Sequence, residues 1–252
     1  MTDPHPARTG IILVAAGRGE RLGAELPKAL VHLAARTLID HALSTIVSLP
    51  WSGDLVVVAP EAWRGAIHHQ AHQTHGFASV TDGWRITVVA GGVERHESVR
   101  LGLAAMGDDI DTVLVHDAAR PLTPDTVFTE VRDAVHRHRC GVVPALPVAD
   151  TLKSVAADGT IEHTIDRGSL IAVQTPQGFP RALLERAHAE PEQRAPHSPV
   201  PVTDDAELVQ RVGGVVRTVP GSMRAHKVTT PDDLKLLEAL AVSTGSGTKA
   251  SA

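Results

Sequence analysis

Several clusters of residues in this chain have the types and spacing to do chemistry on an anion. The apolar run Ile11 to Ala15 passes into a small, glycine-containing turn that leads to Arg21 and Lys28. A parallel strand buried on both faces delivers its C-terminal end to an anion in this way. Further on, Gly91-Gly92-Val93-Glu94-Arg95 joins the apolar run Ile86 to Ala90 to a helix expected over about Glu94 to Met106. Backbone amides and Arg95 at that positive helix end make a second edge for an anion or a nucleobase. A third apolar run, Asp111 to His116, discharges Asp117-Ala118-Ala119-Arg120-Pro121. An Asp at a strand tip, two alanines that permit close approach and an Arg held before proline suit a metal or a polar substrate, although a capping Asp at a turn would look the same.

Two other features are weaker. His68, His69, His72 and His75 fall where two imidazoles could stand one helical turn apart, but no carboxylate or cysteine joins them, which favours a solvated surface segment over a metal site. The single cysteine, Cys140, excludes an internal disulfide framework and opens an apolar run, as core filler does.

The elements needed to position these groups can be read in order. Thr37 is a plausible N-cap for a helix from about Leu38 to Val47, and Asp54 to Pro60 is a second buried strand stopped by proline, which completes a β-α-β unit. Helices are expected over 61–75, which includes a polar loop, and over Thr123 to His138. Cys140 to Leu146 and Leu170 to Gln174 read as buried strands, and Thr175 to Phe179 as a turn into a helix near Pro180. Between them, Asp150 to Val155 and Thr160 to Ile165 alternate around an Ala-Asp-Gly turn, a hairpin pattern that needs a surface to lie on. After a proline-rich loop at 191–201, Thr203 or Asp204 caps a helix reaching about Val212. Val215 to Val219 and Arg224 to Val228, the latter bearing Lys227, read as short strands, and Pro231 to Ala241 as a closing helix. The expected organisation is one α/β domain over 1–242, with an arm at about 147–168 and a disordered tail at 243–252.

Composition narrows the function. At 252 residues and 42% hydrophobic the chain can fill one large α/β core, and a net charge of -5 leaves no global basic field to attract nucleic acid or an anionic membrane. With no Tyr and few other aromatics there is no stacking platform for single strands. The N-terminus lacks a signal-peptide pattern and no apolar run of about 18 residues occurs, so a soluble cytoplasmic protein is expected.

In order along the chain stand AAGRGERLGAELPK, GGVERHESV, HDAARP, DTLK, DRGSL, QTPQGF, TDDA and KVT, spread over Ala15 to Thr229. This succession resembles the 2-C-methyl-D-erythritol 4-phosphate cytidylyltransferase family of the non-mevalonate isoprenoid pathway. The resemblance implies a Rossmann-like, mostly parallel twisted sheet flanked by helices, with the hairpin as a protruding dimerisation arm. It implies that Arg21 and Lys28 hold the CTP triphosphate and that Lys227 joins Lys28 at the α-phosphate. Ala15, Ala16, Gly17, Gly91 and Gly92 would meet the nucleotide, with Ser98 near the base or ribose and Val93 acting through its main chain. Asp117, Arg120, Thr175, Thr203 and Lys227 would handle methylerythritol phosphate, with Thr151 and Arg167 reaching in from the partner of a homodimer. Mg²⁺ would be bound mainly through the nucleotide phosphates, with Asp117 a possible ligand. A cytidylyltransferase for another polyol phosphate, such as ribitol 5-phosphate, would share most of these motifs. A non-catalytic nucleotide-binding module is the alternative from another class, disfavoured by the joint presence of Arg21, Lys28 and Lys227. A dinucleotide-binding module is disfavoured because Ala59-Pro60 stands where an acidic residue would end the second strand.

Overall fold

The computed structural model describes residues 8–17, 19, 22, 26–74, 83–189 and 203–242. In chain order the elements are β1 (Thr9–Val14), β2 (His32–Leu33), β3 (Arg36–Thr37), α1 (Leu38–Val47), β4 (Gly53–Ala59), α2 (Arg64–Thr74), β5 (Arg85–Ala90), α3 (Arg95–Ala104), β6 (Thr112–Asp117), α4 (Asp125–His138), β7 (Gly141–Pro147), β8 (Leu152–Val155), β9 (Ile161–Ile165), β10 (Ile171–Val173), β11 (Gln177–Pro180), α5 (Arg181–Ala189), α6 (Asp205–Arg211), β12 (Val216–Pro220) and α7 (Pro231–Val242). The central sheet runs β10-β7-β11-β6-β1-β4-β5, with β12 on β7. β4, β1, β6 and β5 are parallel, β12 is parallel to β7, and β10 and β11 run antiparallel to their neighbours.

Alternation along the inner strands explains the layering. Ile11, Leu13, Leu55, Val57 and Leu114 pack with α1, α2 and α4, whereas Ile12, Val56, Val58, Val113 and Val115 pack with α3, α5 and α6. Side chains leave a strand on opposite faces in turn, so a strand apolar at every position is covered on both sides. α1 starts where its sequence signals it: Thr37 Oγ1 accepts the Asp40 N–H and the Asp40 carboxylate accepts the Thr37 N–H, a reciprocal capping box. α7 is fastened by a separate cluster of Leu33, Leu38, Val228 and Leu237.

The structure corrects several sequence readings. Gln177–Pro180, expected as a turn, is β11, inserted antiparallel between β6 and β7. The expected buried strand at 170–174 shortens to β10, whose Ile171 is 48% exposed, because it pairs only with the far end of β7 beyond the helical layers. Arg224 to Val228 is no strand: Met223–Ala225 forms a 3-10 turn, and the Val228 N–H instead donates to the Ala119 carbonyl at 2.8 Å. The hairpin is present as a two-stranded sheet of its own, β8 and β9, with every residue of β9 exposed. The expected loop at 191–201 and tail at 243–252 lie outside the described residues.

Candidate active site

The strand order determines where a site can form. From β1 the chain steps to β4 and then β5 on one side, and α3 carries it back to β6 on the other. Loops leaving β1 and β6 therefore diverge, and a crevice opens at the carboxyl ends of these strands. A cavity of about 660 Å³ occupies it, lined from the β1 loop by Ala15, Ala16, Gly17, Gly19 and Lys28, from the turn before α3 by Gly92 to Arg95 and Ser98, from β6 by Asp117 to Ala119, and by Lys227 and Thr229.

Each wall is held by main-chain bonds. The Ala15 N–H donates to the Val58 carbonyl at 2.8 Å and the Ala118 N–H to the Val14 carbonyl at 3.0 Å, so both loops start from the β1 tip. Pro27 opens a 3-10 turn, Lys28–Leu30, and the Lys28 N–H reaches the Gly17 carbonyl at 3.3 Å. Gly19 has φ +72°, and a Cβ there would stand 2.9 Å from the Lys28 Cβ. A side chain at Gly19 would both strain the backbone and displace Lys28. On the opposite wall a Cβ on Gly91 would meet the Ala16 Cβ at 2.5 Å, so the turns after β1 and β5 touch through a glycine. Ser98 Oγ accepts the Gly92 N–H, and Glu97 Oε2 accepts the N–H groups of Val93 and Glu94. Those two amides hold the Glu97 carboxyl below its ordinary value.

Charge in the cleft is arranged as a chain. Lys227 Nζ donates to Asp117 Oδ2 at 2.6 Å, and Arg95 Nε to Asp117 Oδ1 at 3.3 Å. Arg95 Nη1 donates to Asp205 Oδ2 at 2.7 Å, and Asp205 Oδ1 lies 3.0 Å from His188 Nε2. Asp117 is 6% exposed and Asp205 fully buried. Burial alone would raise the Asp117 carboxyl, but Arg95 and Lys227 overcome it and hold the group below the usual carboxylate range. Asp205 is depressed likewise, against burial, by Arg95 and His188. For Arg95 burial is again opposed, here by the two carboxylates, and its pKa is raised above the ordinary arginine value. The result is a fixed cation, Lys227, carried on a carboxylate that is itself anchored.

The family model for 2-C-methyl-D-erythritol 4-phosphate cytidylyltransferase (IspD) matches residues 9–243. The chain belongs to that family. It is 47% identical to the bifunctional enzyme IspD/IspF of Clavibacter michiganensis over 97% of its own length, and spans 57% of that longer protein. It is 43% identical to the 2-C-methyl-D-erythritol 4-phosphate cytidylyltransferase of Frankia casuarinae, covering 92% of this chain and 81% of the relative. The crystal structure of the Thermus thermophilus cytidylyltransferase superposes with a TM-score of 0.71 at 31% identity, over 94% of this chain and 100% of that one.

Against the residues the family resemblance selects, the cleft brings together Ala15, Ala16, Gly17, Lys28, Gly92, Ser98, Asp117 and Lys227, with Gly91 directly behind. Arg21 lies outside the described residues. Thr175 does not line the cavity: it is buried, and its hydroxyl accepts the Asp117 N–H at 3.1 Å. Arg120 also stands back, donating from Nη1 to the Ala225 carbonyl and from Nη2 to that of Val173, which ties the Lys227 loop to β10. Burial lowers its pKa. Thr203 is exposed at the start of α6, its N–H on Glu207 Oε2. Thr151 and Arg167 are exposed at the base of the arm and away from the cleft of their own chain, with the Arg167 guanidinium on the Ala149 carbonyl.

Sequence reasoning missed Asp205, His188 and Gln177. Gln177 Nε2 donates to Asp204 Oδ2 and its Oε1 accepts the Ala206 N–H, which pins the start of α6 and so aims Asp205 at Arg95. The available signal was His188 on the apolar face of α5, beside Leu184 and Ala187. Among the described residues no group of three His, Cys, Asp or Glu side chains could hold a metal, and Cys140 is a buried free thiol. No helix among them is long and apolar enough to cross a membrane.

Proposed function

We propose that the cleft holds CTP with its triphosphate along the β1 loop, its α-phosphate between Lys28 and Lys227, and its base against the Gly91-Gly92 wall. The chain is a cytidylyltransferase that joins CTP and 2-C-methyl-D-erythritol 4-phosphate to give 4-diphosphocytidyl-2-C-methyl-D-erythritol and pyrophosphate, in isoprenoid precursor biosynthesis. An oxygen of the substrate phosphate bonds to the α-phosphorus while the bond to the β-phosphate oxygen breaks. The attacking group is already an anion near neutral pH, so the main obstacle is repulsion between anions, and fixed cations remove it. The observation that carries this reading is the 2.6 Å bond that seats Lys227 on Asp117 at the β6 tip, on the cavity that Lys28 also lines. Side chains occupy the amides of Gly92, Val93 and Glu94, so these amides do not donate to a base seated there.

Nucleotidyltransferases generally use a divalent cation. Here Asp117, the carboxylate beside Lys227 among the described lining residues, is already committed to two cations, so the donor set fits a Mg²⁺ carried in on the nucleotide phosphates rather than a cage of side chains. When bound, the ion supplies further neutralisation of phosphate oxygens. Lys28, Lys227 and Arg21 supply the protein's share. Arg120 and Thr203 handle the alcohol substrate, and Thr175 contributes only through Asp117, as part of a single domain over 1–242 acting in the cytoplasm.

The arm supports a homodimer. Val155 and Ile161 are 57% and 61% exposed on an isolated hairpin, and such a hairpin needs a surface to lie on. Pairing the arms would bring Thr151 and Arg167 to the partner's cleft. The test is pyrophosphate release at saturating CTP: Lys28→Ala and Lys227→Ala should each lose about 3 kcal/mol of transition-state stabilisation, on the order of 100-fold in kcat. Undiminished turnover in either variant would remove that lysine from the mechanism.

A further inference from the structure

His116 lies in β6, one residue before Asp117, and is fully buried. It shares the strand face of Leu114, toward α4, where its ring packs on Phe128 with centroids 4.8 Å apart. An aliphatic side chain would suit this apolar site better, and the imidazole Nε2 is buried with no hydrogen-bond partner. Leaving a polar atom in that state costs stability, so the residue calls for another explanation. Its other nitrogen provides one. His116 Nδ1 lies 3.0 Å from Thr175 Oγ1, and the same oxygen accepts the Asp117 N–H at 3.1 Å.

We propose that His116 is a positioning residue for nucleotidyl transfer: its Nδ1 accepts the Thr175 hydroxyl proton, which aims that oxygen at the Asp117 amide and fixes the carboxylate that seats Lys227. Thr175 has one proton to give, and its oxygen is already receiving one from Asp117. With Nδ1 as acceptor the three groups form a directed relay, His116 to Thr175 to Asp117, ending on Lys227 and Arg95. Burial pushes the imidazole pKa down to about 3, so the ring is neutral at working pH and keeps a lone pair for this bond. The relay touches neither substrate, and it acts only through Asp117 and Lys227; it therefore rests on their assignment above.

The test compares steady-state kinetics of wild type with His116→Leu, His116→Asn, Thr175→Val and the His116→Leu/Thr175→Val double variant, with Lys227→Ala as reference. Because small displacements of a charged group near the reacting atoms are expensive, His116→Leu should lower kcat by roughly 10-fold while KM for CTP stays within about twofold. Asparagine can offer its amide oxygen near the Nδ1 position, so His116→Asn should recover most of that loss. Thr175→Val should match His116→Leu, and the double variant should be no worse than either, since one interaction chain is cut twice. Full kcat in His116→Leu, equal damage from Asn and Leu, or multiplying losses in the double variant would each overturn the relay. If Lys227→Ala keeps full turnover, the assignment of Lys227 fails instead and the relay falls with it. Should leucine at 116 prevent folding, Thr175→Val against Thr175→Ser carries the same comparison, with loss expected only in the valine variant.

Discussion

Replacing His116 by asparagine should change how folding stability depends on pH, by an amount that follows from the structure. The imidazole is buried and its pKa is pushed down to about 3, whereas in the unfolded chain a histidine titrates near ~6.5. Between those values the unfolded state binds a proton that the folded state does not, so stability rises with pH across the window and is lost as pH falls from ~6.5. Each pH unit contributes about 1.4 kcal/mol, so acidification from ~6.5 to ~5 should cost the wild type about 2 kcal/mol at this residue alone. Asparagine does not titrate and should lose this component. Asp117 and Asp205 are shifted in the same direction but in a lower window: their folded pKa values are depressed too, so their contribution is full above ~3.9 and is lost only as pH falls below it. They leave the window clear. Urea unfolding of both proteins at several pH values between ~5 and ~7 measures the slopes directly. Parallel slopes for the two proteins would refute a buried neutral imidazole at this position.

Further outcomes follow from the cleft and the arm. Gly91→Ala places a Cβ 2.5 Å from the Ala16 Cβ and 2.9 Å from Ser98 Oγ, so the turn must shift, which should raise KM for CTP by roughly 10-fold and cost about 1–3 kcal/mol of stability; an unchanged KM would remove this turn from the base wall. Arg95→Met leaves the buried Asp205 and Asp117 without their shared cation and should cost on the order of 3 kcal/mol in denaturant unfolding, with Arg95→Lys recovering part of it. Ile161→Glu puts a charge on the exposed face of β9 and should shift a dimer toward monomer in sedimentation, with turnover falling in parallel; a charged variant that sediments as the wild type would argue against the arm as the interface.

Much of this was legible in the sequence, and the exceptions have a physical pattern. Central strands were recognisable because residues apolar on both faces, such as Ile11 to Val14 and Leu55 to Val58, have few other uses. α1 was marked by its Thr37 cap. β11 was missed because a Thr-Pro-Gln-Gly segment carries turn chemistry, and only the two neighbouring strands make it extended. Arg224 to Val228 failed for the converse reason: its pattern suits a strand, but its amide at Val228 bonds to the Ala119 loop instead of a sheet edge.

Within the site, cations on glycine turns announce themselves, whereas second partners do not. Asp117 was visible as a strand-tip carboxylate, and its dual bond to Lys227 and Arg95 was not. Asp205 and Gln177 act across 110 and 29 residues of sequence, on Arg95 and Ala206 respectively, and no local pattern encodes such distances. Thr175 reads as an available hydroxyl, but folding turns it inward to Asp117 and His116.

Transfer of a cytidylyl group to methylerythritol phosphate in this cleft fixes both the nucleotide and the alcohol the protein must prefer. Pyrophosphate release measured with CTP, ATP, GTP and UTP against 2-C-methyl-D-erythritol 4-phosphate and ribitol 5-phosphate tests it most directly. Turnover with CTP and methylerythritol phosphate should stand well above every other pair and be abolished by Lys227→Ala. Faster turnover of ribitol 5-phosphate, or equal use of UTP, would contradict it.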